Sequence, residues 1–309
     1  MRRTLIVNLM LILILLFAIQ SVVSAQDLAR LKKRVAVFEF EDKTDHRVRW
    51  WSGQSVGRGM SDMLVTDLVK SGNYRVIERD AIEKIMQEQK LGMTGMVTPQ
   101  SAAQVGQLLG VEIAIIGSVT EFGHSKGDTG GRIKNIRVGV SSQSATVGVD
   151  IRFIDVNTGE ILTAENIRRE ESKKGLSLGT PKFDFKNRND FDQSIVGKAT
   201  RSAINDIIKL LDEKSVNMPW QAKVIRAAGG QVYINSGSEA GIQVGDVFIV
   251  YAKGEELIDP DTGISLGTID KKIGKIKVTD NNVGGQGKAS LCRVVEGSGF
   301  DRGNLVRIE

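Results

Sequence analysis

The apolar positions of this chain fall into three regimes: a leading block, a stretch where strand and helix periods alternate, and a closing stretch of strand periods only. In the middle regime RVAVFEFED places Val35, Val37, Phe38 and Phe40 in a strand entering a core. Val56, Met60, Met63, Leu64 and Leu68 then recur at the spacing of one helix face between Ser55 and Lys70, and Ser71-Gly72-Asn73 ends that period. YRVIER reads as a short strand, and Asp80 as the cap of a helix through Glu88 with Ile82, Ile85 and Met86 on one face. TPQSAAQVGQLLG predicts a short helix, with Thr98 and Ser101 as start signals and Gly110 as the stop. VEIAIIGSVTEF is almost continuously apolar, the pattern of a strand covered on both sides. ATVGVDIRFIDVNTGEILTAENIRREES is a hairpin: Ala145, Val147, Val149, Ile151 and Phe153 share one face, and Asn157-Thr158-Gly159 makes the turn. The longest helix is expected over 193–214, with Ile195, Ala199, Ile204, Ile207, Ile208 and Leu211 facing inward.

At Asn217-Met218-Pro219 the helical period stops for good. AKVIRAAGGQVYIN, GDVFIVYA, KKIGKIKV and GKASLCRVV are short strand patterns between Gly-rich turns, one of them Asp259–Gly263, and they predict a small closed or half-closed barrel. The expected fold is therefore an α/β (α+β) domain over 26–216, carrying β-hairpin extensions, followed by a small all-β barrel-like domain over 217–309.

The leading block sets the compartment. Arg2 and Arg3 precede the apolar run LIVNLMLILILLFAI, and Val23-Ser24-Ala25 has the small residues of a signal-peptidase site, with cleavage before Gln26. The same run approaches bilayer-spanning length, so an uncleaved membrane anchor is the alternative. The paired arginines point toward twin-arginine export and the greasy core toward the ordinary route. No later stretch reaches the ~18 apolar residues of a spanning helix, so any insertion by residues 26–309 would use strands.

Charge and chemistry narrow the picture further. The formal net charge is +5, two of it from the leader arginines, and basic and acidic residues are interleaved, which argues against nucleic acid as a partner. Cys292 is the single cysteine, so no intrachain disulfide or thiolate metal site exists, and LCRVV predicts a small buried hydrophobe. His46 and His124 fall in polar stretches read as loops, without metal-ligand spacing. GHSKGDTGGR lacks the order of a phosphate-binding loop and is expected to be a hairpin tip. DPDTG lacks a calcium-ligand series and is expected to be a turn. GSEAGIQVGDV is similar to loops in peptide-binding modules, and equally suits a turn leading into a buried strand. No acid–base pair, nucleophile, metal site or cofactor site emerges, so no enzymatic function is expected.

Two features ask for more than a structural role. Trp50-Trp51 sit side by side in the polar loop KTDHRVRWWSG, either exposed for binding or forming a lid over the next helix. The segments 123–144 and 172–192 both grow outward from the same hairpin region. Ile133, Ile136, Val138 and Val140 lead into the 145–153 alternation, joined there by Val147 and Val149, and Leu176, Leu178, Phe183 and Phe185 alternate in the second segment. Transmembrane strands need ~9–11 residues of alternating character, which the first segment supplies and the second dilutes with Pro181, Lys182 and Asp184. A lone hairpin would leave backbone groups unpaired in lipid, so only a ring of subunits closes such a barrel.

VAVFEFEDKT, SDMLVTDLVKSGNYRVIERDAIEKIMQEQ, GVEIAIIGSVTEF and VDIRFIDVNTGEIL, in this order over about 34–214, resemble the CsgG/HfaB family of curli-type secretion and holdfast-anchor proteins. The resemblance implies a homo-oligomeric ring at the outer membrane whose hairpins join in one β-barrel and which exports unfolded polypeptide without nucleotide. It implies a constriction loop just before the first helix. Here that loop runs from Arg49 to Gln54, with Trp50, Trp51 and Gln54 as its lining. The curli exporter carries a cysteine directly after its leader, whereas this chain has Gln26, so a non-lipidated protein of the periplasm or outer membrane is expected. The pattern GSEAGIQVGDVF is similar to the C-terminal domain of flagellar assembly protein T and suggests an envelope accessory partner for 217–309. The soluble periplasmic LpoB/TolB-N-like group keeps such an α/β fold without a pore. Two functions follow as expectations: a channel for curli- or adhesin-type polypeptides, or a soluble scaffold of an envelope or flagellar assembly.

Overall fold

The computed structural model describes residues 30–44, 54–77, 82, 98–133, 136–175, 188–216, 218–258, 260 and 265–308. The chain divides into two compact units, one formed by Arg34–Met218 with Ile258–Gly267, the other by the N-terminal segment through Lys33 with Pro219–Leu257 and Thr268–Glu309.

The first unit is a sheet with helices on both faces. Strands β1 (Lys33–Val37), β2 (Glu41–Asp42), β3 (Tyr74–Val76), β4 (Ile113–Ile133), β5 (Ile136–Asp155) and β6 (Ile161–Gly175) have the order β3-β1-β4-β5-β6, with β2 also on β4. β1 runs parallel to β4, pairing Val35 with Ile113, while β4, β5 and β6 form an antiparallel meander. Helix α1 (Val56–Ser71) begins where the Ser55 hydroxyl accepts from the Arg58 amide, and stops at Gly72, whose φ of 70° suits a residue without a Cβ. Helix α2 (Pro99–Leu109) begins with a reciprocal pair: Thr98 Oγ1 accepts from the Ser101 amide, and Ser101 Oγ accepts from the Thr98 amide. Helices α3 (Arg188–Gln193) and α4 (Ile195–Ser215) complete the unit. Alternate strand residues feed two cores. Val35, Ile113, Ile115, Ile151 and Phe153 pack with Met60 and Leu64 of α1 and with Ile204 and Ile207 of α4. Ala36, Phe38, Ala114 and Ile116 pack with Ala102 and Val105 of α2 and with Ile82. A strand clothed on both faces must be apolar at nearly every position, the pattern of VEIAIIG.

The second unit is a closed six-stranded barrel. Its strands are β7 (Gln221–Ala228), β8 (Gln231–Ile234), β9 (Val247–Ala252), β12 (Lys271–Asp280), β13 (Ser290–Gly297) and β14 (Leu305–Ile308), joined in the order β12-β13-β8-β7-β14-β9 and back. The short strands β10 (Glu256–Ile258) and β11 (Ser265–Thr268) pair as a separate ribbon. Trp220 stacks on Phe248 with ring centroids 5.1 Å apart at the heart of the barrel core, which also holds Cys292. Burial pushes the Cys292 thiol up to about 12, so it behaves as the small hydrophobe expected.

Several expectations change. GHSKGDTGGR belongs to strand β4 rather than a hairpin tip, and His124 stands in that strand, in register with Ala145. The ladder to β5 overrides the weak strand propensity of its glycines. The C-terminal end of 172–192 is helical: α3 covers 188–193 and buries Phe191, while 172–175 continue β6. β14 and the β10–β11 ribbon add strands that the sequence reading did not contain. The 1–25 leader, Asp80, Ile85, Met86 and His46 lie outside the described residues, as does the DPDTG turn apart from Pro260.

Candidate functional site

Two features of the first unit stand apart from its core packing. The first is the ribbon of β4 and β5. Its ladder runs without a gap from Ile113 opposite Asp155 to Ile133 opposite Ile136, broken in register only by a bulge between Val119 and Glu121. The last core residues toward the tip are Phe122 and Ala145. Beyond them, β4 continues from Gly123 to Ile133 and β5 from Ile136 to Ser144. At roughly 3.3 Å per residue the β4 extension is about 36 Å long. The register pairs Ile133 with Ile136, Gly131 with Val138 and Thr129 with Val140 at one set of positions. At the alternate positions it pairs Arg132 with Arg137, Asp128 with Ser141 and Lys126 with Gln143. The extension is thus two-sided in composition, apolar or small at one set and charged or polar at the other.

The apolar set changes phase along β5. At the root, odd-numbered residues Ala145, Val147, Val149, Ile151 and Phe153 are buried against the helices. At the tip, the apolar residues Ile136, Val138 and Val140 are even-numbered, and no bulge on β5 between them and the root resets the count. Val147 and Val149, grouped with the tip by sequence, belong instead to the core. β6 follows β5 out as far as Gly175 opposite Ser141. Leu176, Leu178, Phe183 and Phe185 lie outside the described residues.

The second feature is the neck where the end of β2 meets the start of α1. One Oδ of Asp42 accepts from the Thr44 amide (3.1 Å) and hydroxyl (2.7 Å), while the other accepts from the Val56 amide (3.2 Å). A single carboxylate therefore ties together the two chain segments that flank residues 45–53. At the same neck a Cβ added to Gly57 would lie 2.0 Å from the Phe40 carbonyl oxygen, so only glycine lets the helix start this close to the strand. Gln54, directly before the Ser55 cap, is exposed. Trp50 and Trp51 lie outside the described residues.

Buried ionisable groups serve the scaffold. Glu112 heads β4, where Oε2 accepts from the Arg34 amide at 2.7 Å and lies 3.5 Å from Arg34 Nε, while the Glu112 amide donates to the Arg34 carbonyl. Burial pushes its carboxyl up, with Arg34 opposing. A lone carboxylate inside VEIAIIG was a visible signal that sequence reading passed over. The Tyr74 hydroxyl donates to Asp212 at 2.6 Å beside Ser215, joining β3 to α4. Among the described residues no group of three His, Cys, Asp or Glu side chains could hold a metal ion, and no helix is long and apolar enough to cross a membrane.

The family model described as curli production assembly/transport component CsgG matches residues 17–238, well over half of the chain. The chain belongs to the CsgG family. Two curated CsgG proteins, from Salmonella typhimurium and Salmonella typhi, are each 26% identical over 158 residues, covering 48% of this chain and 57% of theirs. The match thus spans just over half the length of these relatives. Among solved structures, a hypothetical protein from Chlamydia trachomatis is 16% identical with a TM-score of 0.39, covering 60% of this chain and 98% of its own. The LpoB C-terminal domain from Salmonella enterica is 12% identical with a TM-score of 0.31, covering 45% and 82%. A PelC dodecamer from Paraburkholderia phytofirmans is 14% identical with a TM-score of 0.30, covering 60% and 90%. At these TM-scores none of the three carries an argument about function. The part of the CsgG match within the first unit includes both the long ribbon and the Asp42–Val56 neck.

Proposed function

We propose that this chain is an exported, non-enzymatic secretion subunit that assembles into a homo-oligomeric ring at the outer membrane and passes curli- or adhesin-type polypeptides in unfolded form. The ladder that continues past Phe122 and Ala145 to Ile133 and Ile136 carries this reading. A strand extension of about 36 Å, tilted by ~45°, rises about 25 Å, the height of the apolar band of an outer-membrane barrel. The Ile136, Val138 and Val140 positions then face lipid and the Lys126, Asp128 and Arg132 positions face water. Such a ribbon has two open edges, and lipid does not tolerate unpaired backbone groups. Neighbouring copies supply the missing strands, with the segment beyond Gly175 as the second hairpin and Leu176, Leu178, Phe183 and Phe185 as its apolar positions. The loop tied by Asp42 forms the constriction, lined by Trp50, Trp51 and Gln54, where aromatic side chains let an extended chain slide through many weak contacts.

A soluble periplasmic scaffold is the competing reading, and one observation favours it. From Arg168 to Gly175 the outer strand β6 contains no apolar residue, an unusual composition for a wall facing lipid. In this reading the barrel unit binds an envelope or flagellar accessory protein and no pore forms. Carbonate washing of membranes from expressing cells separates the two: the ring stays with the membrane and the scaffold washes off. In liposomes the ring conducts ions, and Trp50→Ala with Trp51→Ala enlarges the conductance. Retention without any conductance would reject the channel.

A further inference from the structure

The motif GSEAGIQVGDV has a role that the ring does not use. It forms a 3-10 turn at Ser238–Ala240 that ends in Gly241 at φ 84°, followed by a short link to Asp246. Hydrogen bonds from the barrel unit hold this loop in place. The Ser238 amide donates to the Asn281 carbonyl (2.8 Å) and the Glu239 amide to the Gly287 carbonyl (3.0 Å). Asn281 Nδ2 donates to the Ile242 carbonyl (2.7 Å), and Asp246 Oδ2 accepts from the Gln243 amide (2.8 Å).

Against the loop lies a piece of chain from far away in sequence, Arg30-Leu31-Lys32. Three successive residues are held in three different ways. Arg30 donates from Nε to the Gly241 carbonyl (2.9 Å), and its Nη2 forms an ion pair with Asp246 Oδ1. Leu31 is buried in the barrel core cluster. The Lys32 amide donates to the Ala240 carbonyl (3.0 Å). The fit is close: a Cβ on Gly241 would lie 2.2 Å from the Arg30 carbonyl oxygen. The six-stranded ladder closes without this segment, which adds no strand to it. A preformed loop that offers a carboxylate, an apolar seat and a backbone acceptor in line has the parts of an extended-peptide site.

The geometry points to the Gly237–Asp246 loop as a docking site for an extended Arg-apolar-X peptide segment, with residues 30–32 of this chain as its resident ligand. Asp246 selects the cation, and Gly241 admits the backbone. This site is independent of whether the ribbon enters a membrane.

The test empties the site and refills it. The full chain carrying Arg30→Ala and Leu31→Ala is titrated with a fluorescent peptide of residues 27–34 (DLARLKKR). Saturable binding is expected, at least about ten-fold tighter than to the parent chain, whose own segment competes. Adding Asp246→Asn to the emptied chain should weaken binding about ten-fold. No saturable binding by an emptied chain that still melts cooperatively would overturn the proposal, as would binding indifferent to Asp246→Asn. Should the emptied chain fail to fold, hydrogen exchange of the Lys32 amide decides instead. Asp246→Asn alone should speed that exchange at least about ten-fold, and an unchanged rate overturns the assignment.

Discussion

Glu112 shows how far single residues report on the fold. Its carboxyl is raised above its ordinary 4.5 by burial, against the pull of Arg34. The folded chain therefore holds this proton more tightly than the unfolded chain does. The stability it contributes is complete below the unfolded value and is lost as pH rises through the folded one. Glu112→Gln keeps the shape and removes the titration. The gap in urea midpoint, parent minus variant, should therefore fall as pH rises above the ordinary carboxylate range. A gap that widened with pH would mean that the Arg34 pair outweighs burial. The residue scale was read unevenly from sequence. Cys292 was legible because one cysteine among valines has little else to do. Glu112 was not, because a helix or strand period says nothing about a charge that two neighbouring chain segments agree to bury.

At the scale of elements, the ribbon is where sequence and structure part. Period-two alternation identified Ala145 to Phe153 as one face, and that face is buried. The same alternation also runs through Ile136, Val138 and Val140, and nothing local distinguishes a face covered by helices from one left for another partner. The β4–β5 register makes the distinction: it runs unbroken on β5 from the tip to the root, so the two apolar sets occupy even-numbered and odd-numbered positions of one strand. Val147→Ala should cost about 2 kcal/mol of stability by hollowing the core beneath α4. Val138→Asp should change stability by less than about 0.5 kcal/mol. Carbonate washing should release the Val138→Asp protein and retain the Val147→Ala protein. The reverse outcome would place the lipid-facing residues at the root instead of the tip. Gly-rich β4 was misread as a tip for a related reason: its strand conformation is held by the partner strand, not by its own residues.

For the whole molecule, the pattern change at residue 217 was visible because helical periodicity ends there, while the closure of the barrel was not, since LVRI of β14 is too short to read as the strand joining β7 to β9. Among the described residues, no strand pairs with the outer edges of the β4–β5–β6 ribbon toward its tip, and the proposed ring would supply those partners from neighbouring copies. The barrel unit holds Arg30 through the Gly241 carbonyl and Asp246. Imaging single particles extracted from membranes in detergent tests the ring most directly. The account predicts a cyclic particle with a central opening, its detergent belt surrounding the ribbons that contain Ile136, Val138 and Val140. Particles of one chain, with no opening and no detergent belt, would contradict it.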